Sequence, residues 1–96
     1  MASPVSQATV QPAEIQVTVR YFAAAAAAAG SDSETVTLRP GTTVAGLVEQ
    51  LAAHDTRLAT VLSRCSYLCD GVAVRDETAA LRPGNTIDVL PPFAGG

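Results

Sequence analysis

The residues best placed to do chemistry stand at the end of the chain, in Pro91-Pro92-Phe93-Ala94-Gly95-Gly96. Two successive prolines fix φ twice and remove two backbone donors, so a strand must stop there and the chain continues as a stiff, extended arm. Six residues reach up to about 20 Å, enough to carry a terminal carboxylate into the active site of another protein. Two glycines have no Cβ, so the tip can pass a slot too narrow for any side chain. On this reading Gly96 offers the carboxyl, while Pro91, Pro92, Phe93, Ala94 and Gly95 form the inserted arm. Phe93 is a candidate anchor in a partner's channel. The plain alternative is a frayed terminus without a role.

Other reactive groups are sparse. Cys65 and Cys69 are too few for a disulfide framework, a zinc site or an iron–sulfur cluster, and the only histidine, His54, lies upstream of both. In an extended segment their Cα atoms would sit about 13 Å apart, too far to bridge. They read as small apolar fillers, His54 as a solvated or capping residue, and Asp76-Glu77 as a solvated turn pair. The sequence has no serine–histidine–acid set at recognisable spacing, no glycine-rich phosphate loop and no acid pair on one helical face. No bound cofactor and no metal are expected.

Composition narrows the class further. Of 46 hydrophobic residues 18 are alanine, which leaves a core sufficient for one small domain. Six arginines, no lysine and nine acids give a formal net charge of −3, which argues against nucleic acid and anionic membranes as partners. No apolar run approaches the ~18 residues that span a bilayer, and Met1 to Glu14 lacks the basic and apolar regions of a signal peptide. A soluble, cytoplasmic protein is expected.

The elements that must position the arm follow from periodicity. Residues 1–14 carry scattered small polar residues and two prolines, and read as a disordered leader. Residues 15–90 read as the folded domain, and 91–96 as its flexible tail. Ile15, Val17, Val19 and Tyr21 alternate with Gln16, Thr18, Arg20 and Phe22, the pattern of a half-buried strand. Ala23 to Ala29, closed by Gly30, suits one or two helical turns. Glu34 to Leu38 is a second β-rich segment, ended by a Pro40-Gly41 turn.

Val44, Leu47, Val48 and Leu51 then form an apolar stripe at helical spacing, with Thr42 or Thr43 as cap. Asp55 or Thr56 can cap a shorter helix carrying Leu58, Val61 and Leu62. Asp70-Gly71 supplies the two positive-φ positions of a type I′ hairpin between Tyr67-Leu68-Cys69 and Val72-Ala73-Val74. Thr86 to Leu90 is the last strand, with Ile87 and Val89 inward. One greasy helix and strands with one greasy face satisfy each other by packing together. The economical answer is an α+β, β-grasp fold: a mixed sheet curled over one main helix, its first and last strands parallel and central. A ferredoxin-like split arrangement is the alternative.

Three motifs in order carry a resemblance: Val19-Arg20-Tyr21-Phe22-Ala23 in the first strand, Thr43-Val44-Ala45-Gly46-Leu47 opening the helix, and Val89 to Gly96 at the end. Together they resemble the MoaD/ThiS family of ubiquitin-like sulfur carriers over about Ile15 to Gly96. The Pro-Pro before the terminal residues is most similar to the branch that serves as small subunit of molybdopterin synthase.

The resemblance implies a β-grasp fold and a chemical cycle. An adenylating, MoeB-like enzyme would consume ATP to convert the Gly96 carboxylate to an acyl-adenylate. A persulfide sulfur donor would exchange AMP for sulfur to give a thiocarboxylate. A MoaE-like large subunit would bind the arm and supply the catalytic groups, so this chain would not itself be an enzyme. Where members of the family often carry charges after the first strand, this chain has only Ala23 to Ala29.

If the apolar faces of the first and last strands look toward the helix, Phe22 and Leu90 both point outward at the same sheet edge, beside the root of the arm. They form a candidate partner-docking patch. Carriers for thiamine, cysteine or tRNA thiolation, a ubiquitin-like protein modifier, and a binding module with an inert tail are the alternative readings.

Overall fold

The computed structural model describes residues 13–92. Along β1 (Ile15–Tyr21) the alternation holds: Ile15, Val17, Val19 and Tyr21 are buried, and Gln16 and Arg20 are exposed. The alanine run forms α1 (Ala24–Ala29), one residue shorter at its start than its composition predicts. Ala23 is held at φ 51° and ψ −126° in a tight turn closed by the Ala25 N–H donating to the Phe22 carbonyl at 3.0 Å. That conformation suits glycine at the first central position of a type II′ turn and excludes Ala23 from the helix.

β2 (Ser33–Leu38) lies antiparallel to β1, with Val17 opposite Val36 and Ile15 opposite Leu38. The main helix is α2 (Val44–Ala53); Val44, Leu47 and Leu51 of the expected stripe are buried, while Val48 is half-buried against the core. Thr43, one of the two expected caps, accepts the Gly46 N–H on its side-chain oxygen. Two further first-turn donors, the N–H groups of Val44 and Ala45, are satisfied by the carbonyls of Ala79 and Glu77. The 74–85 loop is thereby stitched to the head of the helix. His54 is the exposed C-cap residue of α2.

α3 (Thr56–Leu62) is capped by Asp55, whose carboxylate accepts the N–H groups of Arg57 and Leu58. It buries Leu58 and Leu62, while Val61 is only half-buried. β3 (Ser66–Cys69) and β4 (Val72–Ala73) form the hairpin, with Asp70 at φ 50° and Gly71 at φ 84° as a type I′ turn requires. β4 stops at Ala73 rather than Val74, although the Val74 N–H still donates to the Tyr67 carbonyl at 2.9 Å. The Asp70 carboxylate accepts from the Thr86 N–H and the Asn85 amide, each at 2.7 Å, tying the turn to the start of β5 (Thr86–Leu90).

The sheet order is β2-β1-β5-β3-β4, with β1 and β5 parallel and every other pairing antiparallel. This is the β-grasp arrangement, and the parallel first and last strands lie inside the sheet as the element order implies. Val17, Val19, Leu47, Ile87 and Val89 are fully buried between sheet and helix. Burial of a side chain of this size contributes about 1.5–3 kcal/mol each.

Candidate functional site

The root of the arm is fixed by the two inner strands. Tyr21 pairs with Val89 in parallel register, and the next N–H along β1, that of Phe22, donates to the Val89 carbonyl at 3.2 Å. Phe22 and Leu90 therefore leave their strands at the same end of the sheet, as the alternation predicts. Phe22 is 40% exposed and Leu90 half-buried, so the ring does not pack beneath the alanine turn. Val72, at the hairpin edge, is exposed too; nothing in the strand alternation singles it out.

Pro91 is buried, and Pro92 is exposed. Both line a cavity of about 410 Å³ with Ala24, Thr60, Val61 and Arg64. The proline that begins the expected arm is thus part of the body. Phe93, Ala94, Gly95 and Gly96, the remaining residues of that arm, lie outside the described residues, as do Met1 to Pro12 of the expected leader.

Beside Phe22 lies an ion pair that alternation alone does not reveal. Register sets Arg20 opposite Asp88 on the open face of the sheet. The Arg20 guanidinium donates through Nε to one Asp88 oxygen at 2.6 Å and through Nη2 to the other at 2.8 Å. The Asp88 side chain is 7% exposed against 52% for Arg20. A residue expected on a solvated face is therefore covered, and its charge is answered by a two-point contact. The hydrogen bond and the charge of Asp88 hold the Arg20 pKa above its ordinary value. The Arg20 Cζ also stands 5.7 Å from the centre of the Phe22 ring, within cation–π range.

The other reactive groups have structural work to do. Both cysteines are free thiols. The Cys65 thiol donates to the Val61 carbonyl at 3.2 Å. Burial pushes the thiol of Cys65 up, and burial followed by the neighbouring Asp70 charge raises that of Cys69. Such thiols are poor nucleophiles near neutral pH. The Asp76 carboxylate accepts from the Thr78 hydroxyl and the Thr78 N–H, and both bonds lower its pKa. Among the described residues no group of three or more His, Cys, Asp or Glu is arranged to hold a metal ion. None of their helices is long and apolar enough to cross a membrane.

What the body offers is a rigid platform: an apolar edge, an oriented guanidinium, and a strand that delivers the chain end beside them. The ThiS family matches residues 19–96. The molybdopterin synthase sulfur carrier subunit of Chlamydomonas reinhardtii is 30% identical over 83 residues, covering 85% of this chain and all of that protein.

Two solved structures share the fold. Small archaeal modifier protein 1 of H. volcanii aligns with a TM-score of 0.73 at 21% identity, covering 82% of this chain and 99% of that one. In the complex of subunits 1 and 2 of the molybdopterin-converting factor from Helicobacter pylori, the matching chain aligns with a TM-score of 0.63 at 20% identity, covering 85% of this chain and 100% of that one.

Proposed function

This chain belongs to the ThiS family, and from that premise we propose that it is a sulfur carrier, the small subunit of a molybdopterin synthase, bearing its sulfur as a thiocarboxylate on Gly96. The observation that carries the reading is the family match itself, which runs through the Pro-Pro-Phe-Ala-Gly-Gly segment to residue 96. The name of the algal relative, matched over its whole length, supports the choice of pathway.

The chemistry suits a chain whose catalytic groups are supplied by its partners. A carboxylate is a poor electrophile until one oxygen becomes part of a good leaving group. An adenylating, MoeB-like partner consumes ATP, joins the Gly96 carboxylate to AMP and releases pyrophosphate. The terminal sulfur of a persulfide donor then attacks the acyl carbon, and AMP departs with the bonding electron pair. Cleavage of the sulfur–sulfur bond by a thiol leaves the thiocarboxylate and a disulfide. The soft thiocarboxylate next enters a MoaE-like large subunit, whose side chains act on the pterin precursor. The pairing of subunits in the Helicobacter complex supports such an assembly. The reading places the protein in the cytoplasm, with ATP used by the activating partner and no cofactor resident on this chain.

Intact mass after incubation with the activating enzyme, ATP and a persulfide source tests the proposal. Exchange of one oxygen for sulfur on Gly96 is expected, followed by dithiolene formation when the loaded chain and a large subunit meet the cyclic pterin precursor. Covalent adducts to lysines of other proteins would instead mark a modifier. Loading without dithiolene formation would mark a carrier for another pathway.

A further inference from the structure

We infer that Arg20 is a specificity-determining docking residue, which presents its spare N–H groups to a neutral hydrogen-bond acceptor, a main-chain carbonyl or side-chain amide, on the protein that covers Phe22 and Leu90. The inference rests on the reading above, that a large synthase subunit takes up this chain, and takes the Phe22–Leu90 edge beside the root of the arm as the face it covers.

An arginine on an exposed strand face ordinarily samples many rotamers, and ordering it on binding costs entropy. Here the cost is met in the free protein. Nε and Nη2 are both tied to Asp88, and the guanidinium lies over the Phe22 ring. Asp88 is itself fixed, being buried on the central strand β5 between Arg20 and Leu68 in the sheet register. A guanidinium carries five N–H donors, and the two bonds to Asp88 leave the others for a partner. Half of the side chain remains exposed at the apolar edge.

Charge decides the class of acceptor. Asp88 already balances Arg20, so a partner carboxylate would strand a surplus negative charge when the face is covered. A carbonyl or amide oxygen satisfies the donors without one. An acceptor placed at the rim of the Phe22–Leu90 contact also gives an orientation that apolar contact alone cannot specify.

The test measures the affinity of the full chain for the large subunit by calorimetry, with melting curves as the folding control. In Arg20→Leu with Asp88→Leu the donors vanish but apolar area and charge balance remain. We expect binding about ten-fold weaker with folding retained, because the partner acceptor is left buried and unpaired. In the exchanged pair, Arg20→Asp with Asp88→Arg, the ion pair persists while the guanidinium moves to β5, and a comparable loss is expected. A purely structural pair predicts wild-type affinity for the exchange, and that result overturns the inference.

Should either variant fail to fold, the wild-type chain still decides. Arg20 Nη–H exchange, followed by NMR on labelled protein, should slow when the large subunit is added; unchanged exchange in the complex overturns the inference. A complex weakened by Phe22→Asp but indifferent to the double leucine variant overturns the inference alone. No complex with the wild-type chain overturns both the inference and the reading beneath it.

Discussion

Two residues at the tail end of the sheet carry costs that the rest of the fold sustains. Ala23 adopts a positive φ at which its Cβ crowds the backbone, a conformation that costs on the order of 1–3 kcal/mol. Glycine removes the clash but adds freedom to the unfolded chain, worth about 0.4–1 kcal/mol in the other direction. Ala23→Gly should therefore stabilise by about 1 kcal/mol net, raising the melting temperature by roughly 4–8 °C in a domain of this size. A lower melting temperature by calorimetry would show that the turn is not strained. The second cost is the buried Asp88 carboxylate. Arg20→Leu alone leaves it unpaired and should destabilise by about 1–3 kcal/mol, whereas replacing both residues by leucine should be close to neutral. A urea-unfolding cycle on the two single variants and the double variant measures the difference. Equal losses in the Arg20 single and the double would mean that Asp88 is adequately solvated without its partner.

Among the elements, the junction of α3 with β3 should depend on pH. The Tyr67 hydroxyl donates to the Leu62 carbonyl at 2.9 Å inside the core, joining the end of the helix to the strand that flanks β5. Burial pushes its phenol above the ordinary value of 10.0, with smaller contributions from Cys65 and Glu77. The unfolded chain thus loses this proton at lower pH than the folded one. The contribution is fully present below about pH 10 and is lost as pH rises from there toward the folded value. Tyr67→Phe should cost about 1 kcal/mol near neutral pH, since a buried carbonyl loses its donor. At about pH 11 the gap to wild type should narrow, because phenylalanine cannot ionise. Urea midpoints at the two pH values test this, and a constant gap would contradict it. Elements of this kind were legible in the sequence wherever one apolar period dominates: the alternation of Ile15 to Tyr21, the stripe from Val44 to Leu51, and the Asp70-Gly71 turn. Alternation also put Arg20 and Asp88 on one face. It could not pair them, because their contact depends on the register of two strands 68 residues apart in the chain. Nor could composition separate Ala23 from the six alanines after it, since the strained turn is imposed by the Phe22–Ala25 hydrogen bond. The burial of Pro91 was equally hidden, because a proline after the last strand reads as the start of an arm until the fold around it is known.

For the molecule as a whole, the proposal separates a body that holds its shape from a terminus that reacts, and the two should fail independently. Leu47 is fully buried at the centre of α2, against the sheet whose inner strands β1 and β5 fix the root of the arm. Leu47→Ala leaves a cavity and should cost about 2–5 kcal/mol, a large share of the ~5–15 kcal/mol that holds such domains together. Its melting temperature should drop well below that of wild type, yet the fraction still folded should accept sulfur at an undiminished rate, because on the proposed route the carboxyl reacts in the active site of the activating enzyme. One residue appended after Gly96 should do the reverse. The activating enzyme would meet a peptide bond where it requires a free carboxylate, so loading should disappear while the melting temperature stays put. Mass spectrometry of loading and calorimetry of unfolding, run on both variants, separate the two failures. Undiminished loading of the extended chain would mean that the sulfur enters elsewhere, and the division between inert body and reactive end would have to be abandoned.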